Sequence, residues 1–277
     1  MNFPSLAAPG PLVMGILNVT PDSFSDGGAF ARRDAALAHA RAMAAAGADC
    51  IDIGGESTRP GAREVSVQEE LDRVIPVIET LVGEVDAPLS IDTGKAAVMT
   101  AAAAAGAGLI NDVRALRAPG ALEAAARTGL PVCLMHMQGR PRTMQGNPRY
   151  ADVVSEVLDF LLARVAACEA AGIDRSRLLL DPGFGFGKTL EHNLALLRAL
   201  PRFVATGLPV LVGISRKSMI GALTGAAVDR RLGGSLAAAL LAAQAGTKIL
   251  RVHDVFETVQ AVQTLRAVHR WEASHGT

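Results

Sequence analysis

Eight short apolar runs that alternate along the chain with helical patterns predict an α/β fold: a single (β/α)8 TIM barrel over residues 1–277. The length matches the usual size of such a barrel, and no change in composition marks a linker between domains. An open, doubly wound sheet is the competing fold. No Gly-x-Gly-x-x-Gly follows the first apolar run, which weakens a dinucleotide-binding interpretation.

The predicted strands are short runs, rich in Leu, Ile and Val, that end in turn residues or polar side chains. In chain order they are residues 12–20, 50–53, 88–93, 109–113, 132–137, 178–181, 209–215 and 248–253. Because these runs are continuously apolar rather than alternating, we expect strands that are buried on both faces, as in a parallel sheet.

Helical patterns separate the strands, and several of them are rich in alanine. They cover residues 34–46, 67–82, 101–105, 121–127, 152–171 and 255–271, and a further pattern begins near residue 190. Gln68, Glu69 and Glu70 lie in the first turn of the second helix, where the two carboxylates interact favourably with the helix dipole. The helices are therefore expected to pack around the strands, with the functional groups elsewhere.

The composition excludes several classes of partner. The formal net charge is zero, and 50% of the residues are hydrophobic, so no global field attracts nucleic acid or an anionic membrane. Every apolar stretch is interrupted before it reaches membrane-spanning length, and residues 1–11 lack the basic region of a signal peptide. Cys50, Cys133 and Cys168 are scattered without metal-ligand spacing, as in a reducing compartment. We therefore expect a cytoplasmic protein.

The stretch LLLDPGFGFGKT, residues 178–189, places a carboxylate at the end of an apolar run and before a glycine-rich loop. A carboxylate at the end of a buried strand is costly, so it usually serves a binding site. The alternative is that Asp181 only anchors its own turn by accepting backbone N–H bonds.

Similar polar residues occur at or near the ends of the other predicted strands. The set comprises Asn18, Asp52, Asp92, Asn111, Asp181, Lys217, Arg251 and His253. In a barrel the carboxyl ends of all strands meet at one mouth, where active sites are built. The sequence therefore predicts that these side chains converge.

The residue types in this set indicate two kinds of ligand group. Carboxylates and an amide suit a flat heterocycle with several N–H donors, and Lys217 can donate to a ring carbonyl or nitrogen. Arg251 and His253 are two residues apart on one strand and so share a face, and a helix begins just beyond them. This is an anion site that suits phosphate. Asn18 could ligate a Mg²⁺ ion that keeps most of its waters.

Neither a zinc cluster nor a Ser–His–Asp or Cys–His nucleophile is evident in the sequence. Two further polar residues have simple structural explanations. His136 in the fifth strand can be a satisfied core histidine, and Asp112 can cap a loop. The residues alone thus lead to a barrel enzyme for a polar heterocycle and a phosphorylated group, without fixing the reaction.

Eight motifs, in order from the first strand to the last, resemble those of the dihydropteroate synthase family. They are ILNVTPDSFSDGG (16–28), DIGGESTRPGA (52–62), SIDT (90–93), IND (110–112), LMHMQGRPRTMQ (134–145), DPGFGFGKT (181–189), GISRKSMIG (213–221) and RVHD (251–254). Long motifs in register over nearly the whole chain are far more specific than a single pattern.

The resemblance implies a sulfonamide-target transferase of folate biosynthesis. Such an enzyme joins 6-hydroxymethyl-7,8-dihydropterin diphosphate to 4-aminobenzoate with Mg²⁺, and forms a homodimer through its later helices. Small molecules would be the substrates, with neither nucleic acid nor membrane as a partner. By resemblance, the catalytic group would be Asn18, Lys217, Arg251 and His253.

The resemblance also assigns the subsites. The pterin would be held by Asp92, Asn111, Asp181, Lys217 and Arg251, and the diphosphate by Asn18, Thr58, Arg251 and His253, with Asn18 as metal ligand. The aminobenzoate subsite would comprise Phe24, Thr58, Arg59, Pro60, Phe186, Lys217 and Ser218. Asp52 would organise the first two loops, residues 20–28 and 54–62.

Two other functions share parts of this pattern. A methyltetrahydrofolate methyltransferase with a corrinoid partner would share the pterin carboxylates, but SFSDGG and ESTRPGA favour the synthase. A non-catalytic pterin-binding paralogue would be signalled by loss of Arg59, Lys217, Arg251 or His253, and all four are present. Without the resemblance, the residues indicate a general phosphate-binding barrel lyase or isomerase.

Overall fold

A computed structural model describes residues 10–20, 29–57, 61, 63–139 and 143–275, with side chains described over 10–20, 33–57, 61, 63–139 and 143–268. The strands are β1 (Leu12–Asn18), β2 (Cys50–Gly54), β3 (Leu89–Asp92), β4 (Leu109–Asp112), β5 (Val132–Met135), β6 (Leu178–Asp181), β7 (Leu211–Val212) and β8 (Ile249–Val252).

Ten α-helices are found within the described ranges. They are α1 (Ala29–Ala45), α2 (Val67–Val82), α3 (Ala96–Ala105), α4 (Ala121–Thr128), α5 (Val153–Ala170), α6 (Leu190–Arg198), α7 (Leu200–Val204), α8 (Ser218–Thr224), α9 (Leu232–Gln244) and α10 (Val255–His275). Side chains cap several N-termini: Ser66 accepts from the backbone of Glu69 on α2, and Asp152 does the same for Val154 on α5.

The eight strands form one parallel sheet in which each strand lies beside its neighbour in sequence, and β1 pairs with both β2 and β8. The remaining seam, between β6 and β7, is joined by a bridge at Leu180 and Val210, where Leu180 N donates to Pro209 O at 2.9 Å. The strand order never reverses, so the sheet has no topological switch point. The predicted barrel is confirmed, and the doubly wound sheet is wrong.

The strand register divides the side chains between two layers. Residues such as Ile51, Ile91 and Leu250 point outward into the main core beneath the helices. Their neighbours point inward, and those nearest the amino ends of the strands form a separate apolar cluster that we call the barrel plug: Leu12, Met14, Cys50, Leu109, Cys133, Leu179, Leu211 and Ile249.

Two residues beyond the barrel plug, the inward positions become polar. Cys50 is followed by Asp52, Leu109 by Asn111, Leu179 by Asp181 and Ile249 by Arg251. Because side chains in a strand alternate with a period of two, each polar group lies on the same face as the plug residue before it. The barrel interior is therefore apolar at one end and charged at the other.

Element boundaries differ from the predictions at a few places. The first helix begins at Ala29, five residues before the predicted start at 34. The fifth strand ends at Met135, so His136 lies one residue beyond it, although its N–H still donates to Asp181 O at 3.0 Å. No helix in the described part of the chain is long and apolar enough to cross a membrane.

Leu179→Ala tests the barrel plug. Leu179 is fully buried, so its truncation leaves a cavity that the surrounding strands cannot fill. We expect the free energy of unfolding in urea to fall by about 3 kcal/mol. Leu223→Ala, which truncates a leucine that is 55% exposed, is the control. A loss of similar size in both variants would contradict a rigid, close-packed plug.

Candidate active site

The inward-facing polar groups above the barrel plug, which include Asp52, Asn111, Asp181 and Arg251, form what we call the polar layer. Asp52 is at its centre. It is fully buried and accepts hydrogen bonds from Ser90 Oγ at 2.6 Å, Asn111 Nδ2 at 2.8 Å and Arg251 Nε at 2.6 Å. These donors come from β3, β4 and β8. A buried carboxylate with three donors is fully compensated, so Asp52 connects four strands through one group.

Arg251 links Asp52 to a second carboxylate. While Nε donates to Asp52, the terminal NH2 group donates to Asp92 Oδ2 at 2.9 Å, and the arginine side chain is 19% exposed. Burial raises the pKa of Asp92 to about 7, with Arg251 opposing this shift and Asp52 reinforcing it. The planar guanidinium thus holds two carboxylates on adjacent strands in a fixed arrangement.

Asp181 lies at the end of β6, on the opposite side of the mouth. One oxygen, Oδ1, accepts from Gly183 N at 2.7 Å, so the predicted turn-anchoring contact exists. No hydrogen bond to its other oxygen is found among the described residues. Burial raises the pKa of Asp181 to about 6, although the Gly183 N–H and the charge of Lys217 oppose this shift. The carboxylate can therefore anchor its turn and still bind a ligand.

Three glycines give the loop after Asp181 its shape. Gly183, Gly185 and Gly187 have φ angles of +71°, +78° and +60°, which L side chains rarely adopt. A Cβ on Gly183 would lie 1.9 Å from His136 O, and one on Gly187 would lie 2.4 Å from Gln138 O. The alternating glycines therefore serve a tight fold against the end of β5, not a dinucleotide phosphate.

Lys217 reaches this loop from the start of α8. Its Nζ lies 4.1 Å from the centroid of the Phe186 ring, a cation–π contact. Burial lowers the pKa of Lys217 to about 8, and the positive charge of Arg251 acts in the same direction, while Asp181 and Asp92 oppose it. Lys217 is therefore a buried cation that the charges of both carboxylates favour, with Phe186 against its ammonium.

The backbone before Lys217 is held in an unusual conformation. Arg216 has a φ of +58°, and its side chain pairs with Asp254, with Nε 3.0 Å from Oδ2. Arg216 N donates to Ser235 Oγ at 3.0 Å, and Arg231 donates to Arg216 O at 3.0 Å. These contacts point Arg216 away from Lys217 and join the end of β7 to that of β8.

His253 lies just beyond β8, beside this junction. Its N–H donates to Ser215 Oγ at 3.2 Å, and Nδ1 lies 3.1 Å from the same oxygen. Burial and the charges of Arg251 and Arg216 lower the pKa of His253 to about 4. In the free protein the imidazole is therefore neutral at physiological pH, and a bound anion would favour its protonated form.

Asn18 ends β1 on the other side of Arg251. Its amide oxygen faces Gly54, since a Cβ there would lie 3.8 Å from Asn18 Oδ1 and 3.6 Å from Asp92 Cβ. No group of three or more His, Cys, Asp or Glu side chains that could hold a metal ion is present in the described part. The amide oxygen of Asn18 can supply one ligand to a Mg²⁺ ion that keeps most of its waters.

The structure thus brings the predicted polar groups to one mouth. Asp52, Asp92, Asn111 and Arg251 contact one another, and Asp181, Lys217, Phe186, Asn18, Ser218 and His253 lie at neighbouring strand ends or loops. The described contacts of Asp52 are with other strands, so its role in organising loops stays a prediction. Phe24, Thr58, Arg59 and Pro60 lie outside the described residues.

Asp112 and His136 have the structural roles that were expected of them. Asp112 accepts from Arg114 N and Leu116 N, each at 2.8 Å, which confirms that it caps its turn. His136 is 7% exposed and satisfied, with Nδ1 3.0 Å from Lys188 Nζ. Burial and the charge of Lys188 lower the pKa of His136 to about 3, so the ring is neutral.

Several contributing residues were not found from the sequence. Ser90 lies two residues before Asp92 in SIDT, so strand parity could have assigned it to the inward face. No pattern in the sequence predicted the ion-paired group of Glu56, Lys95 and Glu70. Lys95 Nζ lies 2.6 Å from Glu56 Oε2 and also contacts Glu70, joining the start of the second loop to α2 and α3.

The pterin-binding enzyme family matches residues 14–253 of the chain. The dihydropteroate synthase of Escherichia coli K12 is 57% identical over 263 residues, which cover 95% of this chain and 93% of that protein.

Solved structures give the same result. Yersinia pestis dihydropteroate synthase with a sulfonamide drug has a TM-score of 0.90 and 58% identity, covering 94% of this chain and 95% of that one. The Xanthomonas albilineans enzyme with 4-aminobenzoic acid has a TM-score of 0.90 and 58% identity, covering 95% and 94%. Its complex with 7,8-dihydropteroate has a TM-score of 0.87 and 55% identity, covering 95% of each chain.

Asp52→Asn tests the centre of the polar layer. The substitution removes one partner of a buried ion pair and places an amide NH2 among three donors, so we expect a loss of about 3 kcal/mol in unfolding free energy. Glu84→Gln is the control, because Glu84 pairs with Arg41 at 2.7 Å on the exposed surface. That change should cost at most about 1 kcal/mol. Equal losses in urea denaturation would contradict a central role for Asp52.

Proposed function

Since the chain belongs to the dihydropteroate synthases of the pterin-binding enzyme family, we propose that its reaction is assisted by Mg²⁺ and carried by the polar layer of the barrel. The protein condenses 6-hydroxymethyl-7,8-dihydropterin diphosphate with 4-aminobenzoate, giving 7,8-dihydropteroate and diphosphate in folate biosynthesis. The observation that carries the assignment of residues is that Arg251 donates to both Asp52 and Asp92 at the same barrel mouth where Lys217 contacts Phe186.

The pterin would bind with its edge toward the strand ends. Asp92, Asn111 and Asp181 offer oxygens to the ring N–H groups, and Lys217 donates to the ring carbonyl or a ring nitrogen. Arg251 would lie over the pterin face, because Asp52 and Asp92 hold its guanidinium across the mouth. The barrel plug below gives these groups an apolar floor that strengthens their electrostatic interactions.

The diphosphate would bind beside Arg251, His253, Asn18 and Thr58. His253 and the start of α10 lie at the same strand end, where backbone N–H groups favour an anion. Asn18 would hold Mg²⁺ through its amide oxygen, together with water and the diphosphate. When bound, Mg²⁺ would neutralise part of the charge on the leaving diphosphate.

The aminobenzoate would lie on the outer side of the pterin, against Phe186 and Lys217. Ser218 and the following N–H groups would take its carboxylate. Phe24, Thr58, Arg59 and Pro60 would close this subsite from the first two loops. The cation–π contact of Lys217 with Phe186 supports this location, since it places an aromatic surface beside the pterin groups.

The chemistry needs electrostatic stabilisation but no protein nucleophile. The C–O bond of the pterin CH2 group breaks first, the electron pair leaves with diphosphate, and the dihydropterin ring delocalises the cation. The aminobenzoate nitrogen then attacks the CH2 group and loses a proton to water. Arg251 and His253 stabilise the charge that develops on the leaving group. A solvolysis assay without aminobenzoate that never releases diphosphate would count against a free cation.

We also propose a cytoplasmic homodimer formed through the later helices. Of the six large hydrophobic residues exposed in the described part, five lie on α8 or later: Leu223, Val228, Leu241, Phe256 and Val268. Exposed apolar side chains in one part of a chain favour an interface there. The three cysteines are free and buried, which fits a reducing compartment.

Product formation is the first test of these assignments. Wild-type protein with both substrates and Mg²⁺ should release diphosphate and yield dihydropteroate by mass, whereas chelation of Mg²⁺ should abolish turnover.

Arg251→Ala should lower kcat/KM about 1000-fold and Lys217→Ala at least about 100-fold, since each removes a charge in a water-poor site. Arg41→Ala, on the surface, should change neither. Pterin binding without product would indicate a non-catalytic paralogue.

The pH dependence of pterin binding tests Asp92 and Asp181. Their pKa values of about 7 and about 6 mean that each is partly protonated in the free protein at lower pH. A pterin that donates N–H bonds requires the ionised forms, so its affinity should rise with pH. Between pH 5.5 and 7.5 we expect an increase of more than about ten-fold.

Calorimetry with 6-hydroxymethyl-7,8-dihydropterin, which lacks the titrating diphosphate, measures this affinity directly. Asp92→Asn should weaken binding and flatten its pH dependence above pH 6. A wild-type affinity that stays constant or falls over this range would contradict the assignment of the two carboxylates to the pterin.

A further inference from the structure

Lys188, at the end of the glycine-rich loop, is an almost fully buried lysine whose ammonium contacts the loop itself. The residue is 3% exposed. Its Nζ donates to Gly183 O at 2.9 Å, Phe186 O at 3.0 Å and His136 O at 3.3 Å, and it lies 3.0 Å from His136 Nδ1. The glycine-rich loop and the end of β5 therefore enclose the side-chain nitrogen of Lys188.

The partners of this ammonium are unusual for a buried lysine. Buried charges are normally paired with an opposite charge, yet the hydrogen-bond partners described for Lys188 are three backbone carbonyls and an imidazole. Burial lowers the pKa of Lys188 to about 7, with Asp181 opposing the shift and Lys217 reinforcing it. Burying an ammonium without a directly paired carboxylate costs stability, which the hydrogen bonds to the carbonyls offset only in part.

The protonated form of Lys188 makes His136 an acceptor in this contact. Nδ1 then carries a lone pair, and the proton of the neutral ring is on Nε2. The ring packs edge-on against Phe160 at a centroid distance of 4.9 Å. Tyr150 then donates to Gly187 O at 2.8 Å, so a third carbonyl of the loop is held from the same side.

These contacts determine where the Phe186 ring lies. The carbonyls of Gly183 and Phe186 turn toward Lys188, and the left-handed glycines on either side of Phe186 allow the chain to make that turn. The Phe186 ring is then free to face Lys217 on the other side of the loop, 4.1 Å from Nζ. Two lysines thus contact the loop, Lys188 at the backbone and Lys217 at the aromatic ring.

We propose that Lys188 is a positioning residue for the aminobenzoate subsite: its ammonium serves as a built-in cation that fixes the loop from Gly183 to Gly187 and holds the Phe186 ring against Lys217. The inference rests on the proposed function, in which Phe186 lines that subsite. Lys188 acts through the loop and does not touch the substrates.

A double-mutant cycle between Lys188 and Phe186 tests this in the full-length protein. Lys188→Met keeps the length of the side chain and removes the donors. We expect it to raise KM for aminobenzoate about ten-fold, with KM for the pterin diphosphate changed by less than about three-fold. In the Phe186→Ala background the same substitution should leave KM for aminobenzoate unchanged, since the ring on which Lys188 acts is gone.

Lys248→Met is the matched control. Lys248 is also buried, at 8% exposure, but its Nζ donates to Gly10 O at the opposite end of the barrel. It should leave both KM values unchanged. Equal effects of Lys188→Met in the two backgrounds, or equal increases in both KM values, would overturn the proposal, because they indicate a general loosening of the fold.

Hydrogen exchange separates failure of this inference from failure of the proposed function. Amides of residues 183–187 should exchange about ten-fold faster in Lys188→Met than in Lys248→Met, whether or not the protein forms dihydropteroate. Unchanged exchange would overturn the proposal.

Lys188→Arg replaces Lys188→Met if the latter does not fold. It keeps the charge but replaces a tetrahedral set of donors by a planar fork. A rise of about three-fold in KM for aminobenzoate that disappears with Phe186→Ala supports the proposal, and an unchanged KM overturns it.

Discussion

The contact of Arg251 with Asp52 is the interaction on which the rest of the site depends. It joins β8 to β2 through the middle of the barrel, at 2.6 Å, and the second arm of the guanidinium brings in Asp92. A charge this deep would be costly alone, but here each partner satisfies the other and Ser90 and Asn111 complete the shell of Asp52. The free protein therefore holds two carboxylates and a guanidinium in a fixed arrangement at the mouth of the barrel.

The division of the barrel interior explains why this network is strong. Below it, the barrel plug excludes water, and above it the mouth admits ligands. Burial raises the pKa values of Asp92 and Asp181 and lowers that of Lys217, so all three titrate close to neutral pH. In the proposed binding mode, a substrate that donates N–H groups to Asp92 and Asp181 would favour their ionised forms, so binding and protonation would be coupled in these two groups.

The glycine-rich loop also contains buried polar groups that are satisfied by hydrogen bonds, in this case its backbone carbonyls. Its carbonyls turn inward against the protein, where Lys188 and Tyr150 satisfy them. The backbone can follow this path because Gly183, Gly185 and Gly187 have positive φ angles. The glycines of the motif that first indicated a site therefore serve packing, and the groups proposed to contact substrates are Asp181 before them and Phe186 among them.

The sequence by itself determined the barrel, the order of its strands and the polar residue at most strand ends. It could do so because apolar runs, their alternation with helices and the period of two within a strand are local properties of the chain. Only the tertiary structure decided which polar groups share a partner. Arg251 and Asp52 are 199 residues apart, and Lys188 and His136 are 52 apart, so no spacing along the chain relates them. Closure of the barrel brings them within hydrogen-bond distance, and burial then sets their charge.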